Sequence, residues 1–300
     1  LKAKTIKSIL SKKHNEFINS IDCPVIKDLV KKNSIITGGC IVSMLLNEKV
    51  NDFDYYFTDK DTALKVAEYY VKKFNEKTGR NAEVRVDENG RIKVFIRSVG
   101  VAHTDEWVWP EETEEQQTTE FDDGGNEDKK LDELKEETAN KEKHYPVFLS
   151  ANAISLSGRI QIITRFYGTA EEIHSNYDFT HCTCYWTSGD NELVLPQAAL
   201  EAILTRELVY SGSKYPLCSI MRSKKFIQRG WHINAGQYLK MALQLNQLDL
   251  LDINVLEDQL TGVDSFYFMQ VINYLKDRME RDKEFKLDNT YLFEITNRIF

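Results

Sequence analysis

Asp52 and Asp54 are the residues around which this sequence can do chemistry. They stand two apart in Asp52-Phe53-Asp54-Tyr55-Tyr56-Phe57, a run that reads as a strand, and on a strand such residues share a face. Two carboxylates converging beside an apolar strand repel each other and resist desolvation unless a cation neutralises them. Mg²⁺, or Mn²⁺ in its place, commonly takes one or two carboxylates and completes its shell with substrate phosphates. A partner for those phosphates lies upstream. Ser34–Thr37 reads as a short apolar strand running into Gly38-Gly39, after which Ile41, Val42, Leu45 and Leu46 follow at helical spacing. A glycine turn opening a helix presents bare backbone N–H groups at a positive helix end, where a triphosphate can sit. Taken singly, an Asp-x-Asp is usually a pair of solvated acids and a Gly-Gly is plain turn chemistry. The order is the specific signal: strand, Gly-Gly, the twelve residues 40–51, then Asp-aromatic-Asp on a second strand.

Other constellations carry less. His181-Cys182-Thr183-Cys184, with His174 nearby, suggests zinc. On a strand, however, His181 faces away from both cysteines, and two ligands are too few for a tetrahedral site. The five cysteines, an odd number without framework spacing, read as buried thiols of a reducing compartment. There is no Gly-x-Ser-x-Gly elbow, His-Glu-x-x-His, dinucleotide fingerprint or Walker loop. Trp231 follows Lys224-Lys225 and Arg229, which suits a nucleic-acid surface, but a packing tryptophan is the better reading. Trp107 and Trp109 read as anchors for the root of the acidic segment beside them.

The elements that must position Asp52 and Asp54 follow from periodicity. Ile6, Ile9, Leu10, Phe17, Ile18 and Ile21 mark an N-terminal helix, and Pro24 opens a second short one. A helix over about 59–77 carries the stripe Ala63, Val66, Ala67, Tyr70, Val71 and Phe74, with Gly79 as its C-cap. Asn89-Gly90 predicts a hairpin between 82–86 and 91–96. Further strands are expected at 153–156, 159–167, 179–187 and 192–195. From Gln197 the period becomes helical through 217–227, 238–245, 266–279 and 291–299. The expected organisation is N-terminal helices over 1–34, an α/β domain with a mixed sheet over 35–200, and an all-helical domain over 201–300.

Composition bounds the rest. Of 300 residues 42% are hydrophobic, enough for a sizeable core. No apolar run reaches the roughly 20 residues of a membrane span, so no membrane partner is expected. No signal peptide opens the chain, and its start at Leu1 suggests trimming; the expected location is cytoplasmic, or a virion. The net charge of −8 is uneven, because residues 105–142 hold 16 acids against four lysines. With almost no aliphatic residues, that segment reads as a flexible insertion on a mildly basic body.

The stretch 36–57 resembles the DNA polymerase β-like nucleotidyltransferase superfamily, whose signature is a Gly-Gly or Gly-Ser turn followed by an Asp-x-Asp strand. It is most similar to the head of CCA-adding enzymes and bacterial poly(A) polymerases, and the run from Asn176 to Trp186 is similar to phage nucleotidyltransferases. Gly38-Gly39, Leu45-Leu46, Lys49 and Asp52-Phe53-Asp54 match in order and spacing. Gln161–Phe166, Asn176–Thr180 and Ile220–Phe226 are fainter matches, so that the resemblance covers about 35–235. It implies that Asp52 and Asp54 are catalytic metal ligands, and that Gly38, Gly39, Ser43, Lys49, Arg165, Arg222 and Lys225 bind nucleotide. Arg165, Arg222 and Lys225 are then expected to line a cleft. The superfamily's third carboxylate falls on Gln161 here, and Asp178 is the best substitute as third metal ligand. Ser43-Met44 replaces an Arg-Asp pair, Asn176-Tyr177 replaces two arginines, and no Glu-Asp-x-x-Arg base-selecting motif is present.

Two functions follow. One is a Mg²⁺-dependent transferase of a nucleoside monophosphate from an NTP, ATP among them, to a nucleic-acid (possibly tRNA-like) or protein hydroxyl, encoded by a phage. The alternative is a fold whose chemistry has decayed, serving as a phage structural protein or as a nucleic-acid-binding or interaction protein. Oligomeric state and the acceptor are open.

Overall fold

The computed structural model describes residues 1–97, 144–260, 275–276, 278–282, 285–291 and 293. The acidic segment, with Trp107 and Trp109, and most of the two last expected helices lie outside the described residues.

Two compact units divide the chain: Leu1–His174 with Cys182–Pro196, and Ser175–His181 with Gln197–Phe300. The first is α/β. Its elements are α1 (Ala3–Asn19), α2 (Pro24–Asn33), β1 (Ser34–Thr37), α3 (Gly39–Leu46), β2 (Phe53–Phe57), α4 (Lys60–Thr78), β3 (Asn81–Val86) and β4 (Ile92–Arg97). Then come β5 (Pro146–Leu149), β6 (Ala153–Leu156), β7 (Ile160–Ile163), α5 (Ala170–His174), β8 (Tyr185–Thr187) and β9 (Glu192–Val194). Seven strands form one mixed sheet in the order β5-β6-β7-β2-β1-β8-β9, while β3 and β4 make a separate hairpin. Only β2 and β7 run parallel within the large sheet. The central strand β2 carries Asp54, and its neighbour β1 leads into the glycine turn.

Hydrophobic alternation sets the faces of the sheet. Ile36 pairs with Tyr55 and Trp186, and Tyr55 pairs with Ile162, so these four share one face. Helix α1 covers that face: Phe17 meets the Tyr55 ring edge-on at 5.0 Å, and His14 meets Trp186 at 5.2 Å. Each such large buried side chain contributes about 1.5–3 kcal/mol, which holds the register of β2 and hence fixes the face on which Asp54 emerges. Helix α4 buries the stripe read from its sequence. Its start is capped by Asp59, which accepts the Thr62 N–H at 2.8 Å, and its end by Gly79 at φ +68°.

The second unit is helical: α6 (Gln197–Thr205), α7 (Pro216–Gln228), α8 (Ala235–Leu245) and α9 (Ile253–Leu260). Leu256, Leu275 and Leu287 form one of its apolar clusters, packed by Leu217 and Met221. The expected strand over 179–187 divides. Thr180–Thr183 is a 3-10 turn and only Tyr185–Thr187 is strand. The chain changes unit between His181 and Cys182, so the alternation of apolar residues there serves two separate cores. The expected strand over 159–167 shortens to β7: at its start Gly158 and Arg159 (φ +78° and +63°) form the turn of the β6–β7 hairpin, and at its far end it stops at Ile163. Helix α9, absent from the periodicity reading, starts where Asp252 accepts the Asn254 N–H at 2.8 Å. Among the described residues no helix is long and apolar enough to cross a membrane.

Candidate active site

Strand register assembles the site. Thr37, the last residue of β1, lies opposite Asp54 on β2. Gln161 on β7 lies beside Asp54, and Ser155 on β6 lies opposite Gln161. On the other side Tyr185 of β8 faces Thr37. Paired residues project to the same face, so Tyr185, Thr37, Asp54, Gln161 and Ser155 form one row across five strands. Tyr55 points to the opposite, α1-covered face. The glycine turn therefore begins one residue from the position opposite Asp54.

Gly38 has φ +89° and ψ −148°, a conformation that glycine alone adopts at low cost. It is the N-cap of α3 and contributes no side-chain cap, and the first turn of α3 carries no acid. Of the N–H groups of that turn, those of Cys40 and Ile41 are directed toward the Cys40 sulfur. A Cβ built on Gly39 meets nothing within 4 Å. Protein packing does not require that glycine, and the space above it is open to a ligand.

Asp52 immediately precedes β2 and is half-buried, as is Asp54. The β6–β7 turn holds the loop that carries Asp52. Arg159 Nη1 donates to the Val50 carbonyl at 3.1 Å, and the Phe53 N–H donates to the Arg159 carbonyl at 2.8 Å. Lys49 is exposed in that loop, and Ser43 is half-buried on α3, one turn after Gly39. Cys40 is buried between the glycine turn and the acids. Burial and then the Asp54 charge push its thiol far above its ordinary pKa, and it donates weakly to the Thr37 carbonyl at 3.8 Å. It stays protonated and is not a nucleophile.

Two residues of this face were not read as part of the site from sequence: Thr37, and His174, which the sequence offered only beside the zinc-like cluster. Thr37 is fully buried, and its hydroxyl donates to the Cys184 carbonyl at 2.9 Å. The same oxygen lies 2.8 Å from His174 Nε2, which must then carry the proton of that bond. Burial lowers the His174 pKa to about 4, so the ring is neutral near pH 7. Together they pin the end of β1 where the glycine turn leaves it. The only sequence signal was a polar Thr closing an apolar strand.

The remaining candidates divide between the units. Arg165 belongs to the first; it is 9% exposed, and its guanidinium lies over the Phe166 ring, 5.5 Å from the centroid. Asp178, Arg222 and Lys225 belong to the second. There Asp178 accepts an ion pair from Arg222, and its backbone carbonyl accepts the Ser211 N–H at 2.8 Å. Within each unit, among the described residues, no three His, Cys, Asp or Glu side chains gather as a metal-holding group. His181 is no exception: it lies 4.2 Å from the Trp231 ring and 4.7 Å from Phe226, and burial lowers its pKa to about 3. Trp231, 5% exposed in that cluster, is a packing residue.

Asp54, in register with Thr37 at the foot of the glycine turn, Asp52 one residue before β2, and the open space at Gly39 are what the first unit brings to this end of the sheet. Solved structures similar to the chain include the Thermotoga maritima CCA-adding enzyme complexed with tRNA. It is 16% identical, covers 92% of this chain and 52% of its own, and has a TM-score of 0.40. A CCA-adding enzyme in apo form II is 12% identical, covers 92% and 54%, and has a TM-score of 0.41. The chain belongs to the family described as Gabija anti-defense 2 family protein, whose model matches residues 8–206. A curated relative, "Gabija anti-defense 2" of Bacillus phage SPbetaL7, is 25% identical over 268 residues, which is 88% of this chain and 48% of the relative. The chain thus spans about half the length of that relative.

Proposed function

We propose that this chain is a metal-dependent nucleotidyltransferase, moving a nucleoside monophosphate from an NTP to a nucleic-acid or protein hydroxyl on behalf of a phage that counters Gabija defence. The observation that carries the reading is the register of Thr37 with Asp54, which brings the Gly38-Gly39 turn alongside the acids. The donor set fits a hard divalent cation: two carboxylates, with room above Gly39 for the phosphates that complete its shell.

Asp52 and Asp54 would hold Mg²⁺ or Mn²⁺, which when bound with nucleotide offsets the triphosphate charge. The backbone N–H groups following Gly38 orient the phosphates, with Ser43 and Lys49 as further contacts from α3 and the loop. The acceptor hydroxyl gives up its proton to solvent as its oxygen bonds to the α-phosphorus, the bridging bond to the β-phosphate breaks, and pyrophosphate leaves with that bond's electron pair. Arg165, Asp178, Arg222 and Lys225 remain proposals as phosphate-binding and third-carboxylate residues. Pyrophosphate release should be measured with each of the four NTPs, against RNA and protein pools, with Mg²⁺ or with chelator. Release that needs both metal and acceptor supports the reading; none under any combination defeats it.

A second reading, a nucleotide-holding interaction protein without transfer, is favoured by Gln161, a neutral amide, in the strand position beside Asp54. The engagement of Asp178 with Arg222 points the same way. Gln161→Glu distinguishes the two readings, since a second acid beside Asp54 should create transfer only where Gln161 is what blocks it.

A further inference from the structure

The outer face of α1 has no part in the site just described. The helix covers the sheet face opposite Asp54, and its own outward stripe is polar from Lys4 to Asn19. Lys4, Lys7, Ser8, Ser11 and Lys12 recur there at three- and four-residue spacing, so they stack along one side. They line an open groove of about 580 Å³, closed on one edge by Asn191 of the β8–β9 turn. The Asn191 carboxamide oxygen takes the Trp186 indole N–H at 2.9 Å, so what it offers a ligand is its N–H₂ donor. Glu16 is the one acid lining the groove, and Asp190, next to Asn191 at its edge, acts on Lys7. Residues 1–33 hold eight lysines against three acids, and two of those acids are engaged by Lys32 and Lys73.

We infer that this face of α1 binds the phosphate backbone of a nucleic acid without reading sequence. The donor set is that of backbone contacts: lysine ammonium, serine hydroxyl and asparagine amide, with no aromatic ring on which a base could stack. The stripe from Lys4 to Asn19 is about 22 Å long at 1.5 Å per residue. That length covers about six phosphates of one duplex strand at 3.4 Å each. A protein partner would be expected to find an apolar centre in such a face, and this groove has none.

The test uses the full chain. Binding of labelled random-sequence duplex DNA and RNA should be followed by fluorescence anisotropy from 50 to 200 mM salt, for wild type and the triple variant Lys4→Glu, Lys7→Glu, Lys12→Glu. Three phosphate contacts predict that the triple variant's log–log salt slope is shallower by about 2.7, or about 40-fold less loss of affinity across that range. These side chains are solvent-facing, so circular dichroism should be unchanged; if reversal unfolds the chain, the Lys→Gln triple carries the same prediction. Equal affinity and slope for variant and wild type overturn the inference. So does competition by polyglutamate at charge equivalence with the nucleic acid, which would mark a site for acidic proteins. Stabilisation of the triple variant by Mg²⁺–NTP should persist, so failure here and failure of the transferase reading remain distinguishable.

Discussion

Alanine at each residue of the glycine turn should separate the turn's two roles. At Gly38 the backbone stands at φ +89°, ψ −148°, where a side chain costs about 1–3 kcal/mol. For a unit of this size 1 kcal/mol moves the melting temperature by about 2–4 °C, so Gly38→Ala should lower it by about 2–12 °C. At Gly39 the backbone is helical and an added methyl meets nothing. Gly39→Ala should raise stability by about 0.4–1 kcal/mol through a restricted unfolded chain, or about 1–4 °C. The same methyl occupies the space above the N–H groups. Mg²⁺–NTP at a hundredfold excess over Kd should therefore stabilise wild type by about 2.7 kcal/mol, or about 5–11 °C, and Gly39→Ala by far less. Calorimetry of the three chains, with and without Mg²⁺–NTP, reads both effects. An undiminished nucleotide shift in a stabilised Gly39→Ala protein would refute the reasoning, because phosphates would then bind elsewhere.

Arg159→Ala removes the donor to the Val50 carbonyl, so the Asp52 loop should loosen, seen as faster amide exchange over 48–53, with the sheet intact. Thr37→Val leaves the His174 Nε2–H without its acceptor inside the fold and should cost about 1–3 kcal/mol, while His174→Ala with Thr37→Val together should cost less than the sum. Acid stability should follow the buried histidines. His14, His174 and His181 have folded pKa values lowered to about 4, 4 and 3, below the ordinary 6.5. The unfolded chain therefore binds protons first, so stability is level above about pH 7 and falls as pH drops from 6.5 towards 4. His14→Phe, in its aromatic setting beside Tyr55 and Trp186, should remove about one proton from the uptake on unfolding near pH 5; an unchanged uptake would show that His14 charges inside the fold.

The elements around the candidate site were legible because local signals agreed. A β-branched strand, two glycines, a short apolar helix and an alternating Asp-aromatic strand each specify their own geometry; β1 and α3 fall where that reading places them, and β2 begins one residue later, at Phe53, leaving Asp52 just outside it. The stripe of α4 and the Asn89-Gly90 hairpin were equally local. What stayed hidden was long-range. The resemblance, not any local pattern, pointed to Gln161, which sits beside Asp54 because β2 and β7 run parallel, and His174 reaches Thr37 across 137 residues of chain. The crossing between units at His181–Cys182 disguised a turn as a strand, since alternating burial looks the same whether one core or two receives it.

The measurement that bears most directly on the central claim is transfer of label from an α-labelled NTP to RNA or protein, by wild type and by Asp54→Asn. Asparagine keeps the size and strand position of Asp54 and removes the charge that would hold the cation. The account predicts Mg²⁺-dependent labelling of one acceptor class by wild type, and a loss of at least about a hundredfold, or 2.7 kcal/mol of barrier, in Asp54→Asn with the fold unchanged. Labelling that survives Asp54→Asn, or a wild type that binds Mg²⁺–NTP and labels neither class, would contradict it.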